Sequence, residues 1–152
     1  MKKAFVILLV LLPFMVFAQK ENVLNAAADN IVGNYEASQQ GDRFKAQVVK
    51  LADGTYEGRV YWMERPNDSK GNKRLDTKNP DKSLRKYPLE NVVIFTGLVY
   101  NSSEHRWDST KIYDPHRGVR AKMVASFQPD GRLKIKGSLM GFSESVYWKR
   151  IK

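Results

Sequence analysis

The chain has 152 residues, a formal net charge of +10 and no cysteine. That length suits one domain with its own core, and the missing cysteine excludes a disulfide framework, a thiol nucleophile and a thiolate metal site. The basic balance suits anionic partners such as phospholipid headgroups, acidic glycans or nucleic acid, although Lys and Arg are scattered along the chain rather than gathered in one run.

Lys2 and Lys3 form a short positive start, Ala4 to Phe17 is apolar, and Val16-Phe17-Ala18 puts small residues where a signal peptidase reads them. The pattern predicts a signal peptide over residues 1–18, with Gln19 as the new N-terminus. The apolar run is too short to hold a membrane span comfortably, and with no cysteine there is no lipoprotein anchor. The expectation is an exported protein, periplasmic or secreted, with a single domain over residues 19–152.

Residues 21–30 (ENVLNAAADN) predict a short helix, with Val23, Leu24, Ala27 and Ala28 on one face and Gly33 closing the segment. From there the period becomes two. Phe44, Ala46 and Val48 alternate with charged or polar neighbours, as do Tyr56, Gly58, Val60 and Trp62. The same alternation runs through residues 119–127 and 133–139. Residues 91–100 (NVVIFTGLVY) are apolar on both faces, and residues 31–38, 105–113 and 143–151 bring the count to about eight strands. Asp53-Gly54, Gln40-Gly41-Asp42 and Pro129-Asp130-Gly131 are turn signals between them. With no alternation of strands and helices, the fold class is all-β, a barrel or sandwich. Next-neighbour hairpins favour a single up-and-down antiparallel barrel.

One long polar stretch, residues 64–90, interrupts the strands. Connections of that length in compact domains usually serve a purpose. Its core, Asn79-Pro80-Asp81, reads first as a capped turn, with Asn79 as the cap and Pro80 opening a short helix. Its functional reading sets Asp76, Asn79 and Arg85 at a barrel mouth as polar contacts of a ligand. Asp76, Asn79 and Asp81 all offer oxygen, but Lys78 and Lys82 oppose a cation, and the spacing is not that of a calcium loop.

Tyr113-Asp114-Pro115-His116-Arg117-Gly118 is a second polar cluster, explained by turn chemistry alone, although His116 offers a base and Arg117 an anion contact. Two histidines make no metal set, and motifs for phosphate binding, serine hydrolysis and zinc peptidases are missing. No cofactor or metal is expected. Trp62, Trp107 and Tyr113 stand among strand aromatics that alternation turns inward, as filling or as a ligand wall.

The two ends of the domain carry a resemblance. Gly33-Asn34-Tyr35 follows the short helix, and Val146-Tyr147-Trp148-Lys149-Arg150 closes the last strand. This resembles lipocalin-like barrels, which start with a short helix and a Gly-x-Trp strand and end with a basic residue packed across that ring. Tyr35 stands in place of the Trp, with Arg150 or Lys149 as the cation, and the resemblance implies Tyr35, Trp148 and Arg150 as the barrel-closing set.

Further landmarks extend the likeness. Gly54-Thr55-Tyr56-Glu57-Gly58-Arg59-Val60 comes first, then Leu75-Asp76-Thr77-Lys78-Asn79-Pro80-Asp81, Ile112-Tyr113-Asp114-Pro115 and Leu133-Lys134-Ile135-Lys136-Gly137. In this order they resemble the bacterial uncharacterised family DUF2147 over essentially all of residues 19–152. Two residues depart from the pattern: Tyr35 stands where Trp is expected, and Arg120 stands where an aromatic is expected after Gly118. The resemblance implies an exported lipocalin-like barrel and brings no catalytic residues.

Three functions fit. The first is a barrel that binds a small amphipathic or anionic ligand, with Asp76, Asn79, Arg85, Tyr113, Asp114, Trp62 and Trp107 as its candidate contacts. The second is an envelope-interaction protein with a packed core and a basic exterior for anionic envelope components. An enzyme using Asp76, Arg85 or His116 comes last. Export speaks against a nucleic-acid partner.

Overall fold

The computed structural model describes residues 22–152, so the expected leader lies outside the described residues. Eight antiparallel strands follow one another: β1 (Gly33–Gln39), β2 (Asp42–Lys50), β3 (Tyr56–Met63), β4 (Val93–Asn101), β5 (Arg106–Asp114), β6 (Val119–Phe127), β7 (Leu133–Leu139) and β8 (Phe142–Ile151). Each pairs with the next, and β8 returns to β1 to close the barrel. That closing seam runs over three residue pairs, Asn34 with Ile151, Tyr35 with Arg150 and Glu36 with Lys149. Alternation puts Ala46 and Val48 of β2, Met123 and Ala125 of β6, and Leu133 and Ile135 of β7 into one buried core.

The hairpin arithmetic assigns each connection to an end. The β1–β2, β3–β4, β5–β6 and β7–β8 connections gather at one end, and the other three lie at the opposite end. The second end is plugged. The helix expected over residues 21–30 forms as two 3-10 turns, Val23–Asn25 and Ala28–Ile31, with Ala27 extended between them.

Non-local bonds take priority over continuous helix here. Asn22 Nδ2 donates to the Phe127 and Gln128 carbonyls (3.0 and 2.9 Å), and the Asn25 side chain pairs with both backbone groups of Phe127. Asp29 accepts from the Tyr56 hydroxyl at 2.5 Å and pairs with Lys50 at 2.9 Å. Trp107 donates its indole N–H to Ala28 (3.0 Å) beneath the plug.

Arg150 lies over this end of the barrel. Its guanidinium carbon lies 5.1 Å from the centre of the Tyr35 ring and 5.5 Å from that of Phe127. It also donates to the Val32 carbonyl (2.9 Å), the Asn30 carbonyl and the Tyr35 hydroxyl (2.9 Å). Gly33, at φ +152°, leaves room beneath it: a Cβ there would stand 2.6 Å from Arg150 Nη1 and displace the guanidinium. Burial pushes the Tyr35 phenol up to about 12 despite the neighbouring charge.

Candidate functional site

At the end away from the plug the inward side chains leave space. A cavity of about 470 Å³ is walled by Phe44, Met63, Ile94, Ile112, Ile135 and Val146, with Trp148 deeper in the barrel. Trp148 packs against Tyr35, Phe44 and Phe95 at ring-centre distances of 5.8–6.3 Å, a layer between cavity and plug. Its indole Nε1 is buried and has no hydrogen-bond partner, which is uncommon for an interior donor.

The rim is polar. Asp42, 4% exposed, begins β2 and takes both Arg74 nitrogens, Nη1 to Oδ1 at 3.1 Å and Nη2 to Oδ2 at 2.8 Å. Arg65 Nη2 reaches the same carboxylate at 2.8 Å, and His116 Nε2 stands 3.6 Å away. The hydrogen-bonded Arg74 guanidinium holds the Asp42 carboxyl below its ordinary range against the cost of burial, and Arg65 adds to the effect. Across the rim Arg117 makes a two-pronged pair with Glu144, at 2.7 and 3.0 Å, and each stabilises the charge of the other. Asp114 Oδ1 caps the β5–β6 turn by accepting from the His116 amide at 2.9 Å, and its Oδ2 lies 3.4 Å from Gln39 Nε2.

The long connection is a folded flap. Asn67 bridges Lys73, Leu75 bridges Pro88, and short 3-10 turns form at Lys82–Leu84 and Leu89–Asn91. Asp76 and Asn79 are buried within it. Asp76 accepts from the Tyr113 hydroxyl at 2.6 Å and from Asn79 Nδ2 at 2.7 Å, so it does not pair with Arg85. Burial and the Asp76 hydrogen bond push the Tyr113 phenol up. The cap of the 3-10 turn is Asp81 rather than Asn79, since Asp81 Oδ1 accepts from the Ser83 amide (2.9 Å) while Asn79 Oδ1 accepts from the Asp81 amide (2.9 Å). Arg85 Nε donates to the Asn79 carbonyl at 2.7 Å. Gly118, at φ +68°, lets the Lys78 carbonyl press against the β5–β6 turn where any Cβ would collide.

The candidate residues therefore separate. Asp114 lies on the cavity rim, and Tyr113 also borders the cavity while its hydroxyl joins the flap. Asp76, Asn79 and Arg85 hold the flap together and do not border the cavity. Trp62 lies on the outer face, with Lys45 Nζ 5.0 Å from its ring centre and Arg43 5.6 Å away. Trp107 is fully buried and lies beneath the plug. Asp42, read from the sequence only as part of a turn, and Arg65, Arg74 and Glu144 are rim residues that the sequence did not single out. Extending the inward alternation one step back from Phe44 reaches Asp42, and one step back from Val146 reaches Glu144. Among the described residues, no group of three or more His, Asp and Glu stands close enough to hold a metal ion.

An eight-stranded up-and-down barrel, plugged at one end and hollow at the other, is a lipocalin-like architecture. Residues 33–150 match DUF2147, described as an uncharacterized protein conserved in bacteria, and the chain belongs to that family. A solved structure described as "Protein HP1028 from the human pathogen Helicobacter pylori belongs to the lipocalin family" is similar, with a TM-score of 0.62. The two chains are 19% identical, and the match covers 80% of this chain and 83% of that one, a likeness of fold. Comparison with curated proteins gives no match.

Proposed function

We propose that the barrel binds a small amphipathic ligand, with its apolar part between Phe44, Met63, Ile135 and Val146 and its polar end among Asp42, Asp114, His116 and Arg117. The observation that carries this reading is the cavity of about 470 Å³, apolar in its walls and charged only at its open rim. That volume falls within the range of about 300–1,000 Å³ occupied by small-molecule sites. The packed alternative, an envelope protein with a solid core, has no use for such a space. Nothing in the rim pairs a nucleophile with a base, so binding is favoured over catalysis. We also infer export, from the leader pattern over residues 1–18; N-terminal sequencing of the protein from fractionated cells tests it, with Gln19 as the expected first residue.

The binding test is native mass spectrometry of the purified protein, with Ala121→Phe as a cavity-filling variant. Ala121 borders the cavity and faces the position where Gly137 would carry a Cβ, 3.4 Å away. The expected result is a co-purifying small molecule, or binding of anilinonaphthalene sulfonate, in the wild type but not in a folded Ala121→Phe variant. A wild type that holds neither overturns the reading.

A further inference from the structure

The β7–β8 hairpin carries an apolar tip that the barrel does not use. Met140 is 89% exposed and Phe142 80%, and Leu139 beside them is 41% exposed. Met140 and Gly141 make the two-residue turn, both with positive φ, +50° and +82°. That geometry favours Asn or Gly at the first position, and a non-glycine side chain without a local hydrogen bond is costly there. The chain therefore keeps a strained, water-exposed methionine where asparagine would suit the backbone better. Both side chains stand at the cavity mouth.

The outer surface beside this tip is basic. Lys111 and Lys122 are direct cross-strand partners on β5 and β6, although like charges placed opposite one another repel. Lys122 in turn lies opposite Ser138, one residue pair from the tip, and Lys136 lies opposite Ser145. All three lysines are exposed. The outward positions of β6, β7 and β8 hold Arg, Lys, Ser, Val, Tyr and Ile, and no Asp or Glu. Along the strands Lys122 lies level with Ser138, about 7 Å from Met140, and Lys136 about 13 Å from it.

We propose that this protein docks mouth-first on an anionic phospholipid surface, with Met140 and Phe142 entering the headgroup boundary and Lys111, Lys122 and Lys136 contacting the headgroups. The pairing of exposed apolar side chains with flanking unpaired cations is the chemistry of interfacial attachment. The lysines alone would suit any polyanion, and the apolar tip selects the bilayer. No helix of the described residues is long and apolar enough to cross a membrane, and the proposed attachment is peripheral because only the side chains of one hairpin tip enter the headgroup boundary. Docking does not depend on what the cavity holds, and an empty barrel would dock equally.

The test is sedimentation of the purified protein with vesicles of phosphatidylcholine alone and of an equal mixture with phosphatidylglycerol, all variants sharing one N-terminus. Wild type is expected to partition onto the mixed vesicles and not onto the neutral ones. Met140→Asn with Phe142→Ser is expected to weaken partitioning about tenfold or more, and Met140→Asn alone to raise the thermal midpoint, so that lost docking cannot be blamed on lost folding. Lys111→Gln, Lys122→Gln and Lys136→Gln together are expected to weaken it on the order of tenfold to a hundredfold at low salt, with the gap closing at high salt. Variants that partition like the wild type overturn the proposal, as does equal partitioning onto both vesicles. Two further results overturn it: a tip-dependent dimer without vesicle binding would assign the tip to a second copy of the chain, and retention by a soluble anionic polysaccharide alone would make the lysines a polyanion site.

Discussion

Removing the Asp42 carboxylate leaves two guanidiniums on the rim without their shared counter-charge. Asp42→Asn is expected to cost about 1.5–3 kcal/mol, the range for hydrogen bonds to charged groups, as read by urea unfolding at neutral pH. The Asp42 carboxyl is held below its ordinary value by Arg74, so its contribution is full above about pH 4 and is lost as pH falls through the folded-state value. The stability gap between Asp42→Asn and wild type should therefore shrink when the melts are repeated in acid. Arg150 offers a second test, because its planar fork both stacks on Tyr35 and donates to two carbonyls. Arg150→Lys keeps the charge and loses the fork, and is expected to recover less than half of the stability lost in Arg150→Ala, about 2–4 kcal/mol. The resemblance to lipocalin-like barrels points to a cation over Tyr35 but leaves Arg150 and Lys149 both open, and the structure sets Arg150 there because its side chain shares the inward parity of Trp148.

The flap carries the strongest family text, and its residues turn out to be its own fastening. Asp76→Ala strips Tyr113 and Asn79 of a shared buried acceptor and is expected to cost about 2–4 kcal/mol. Measured alongside, affinity for a bound probe should change little, which separates fastening from ligand contact; a large affinity loss at unchanged stability would return Asp76 to the site. Strand positions were readable because alternation is local. Trp62 was not, since the β2–β3 register shifts between Lys45 and Ala46: Val60 pairs with Ala46 and Trp62 with Lys45. The extra residue, Tyr61, reverses the parity, sending Trp62 outward and Met63 inward. Such an insertion leaves no mark in the spacing of apolar residues.

At the scale of the barrel, the sequence does not show which end is hollow. That depends on Asn22 and Asn25 reaching Phe127, contacts about a hundred positions apart along the chain. Asp114 was singled out as a candidate, yet only closure places it with Asp42, Arg117 and Glu144 on one rim. A ligand that binds only the closed barrel stabilises it by mass action, about 2.7 kcal/mol at a hundredfold excess over Kd. For a domain of this size that raises the melting temperature on the order of 10 °C. The Ala121→Phe variant should show no such response, and scanning calorimetry with and without the extracted ligand decides the point.

Trp148 gives the molecule a built-in gauge. Trp148 borders the cavity and its buried indole N–H has no partner, whereas Trp107 already donates to Ala28 and Trp62 sits outside beneath two cations. With Trp62 and Trp107 replaced by Phe, Trp148 is the one tryptophan left, so emission excited beyond the tyrosine band comes from a single fluorophore at the bottom of the cavity. Its wavelength and lifetime would then register a molecule arriving there, so filling could be followed in real time without a label.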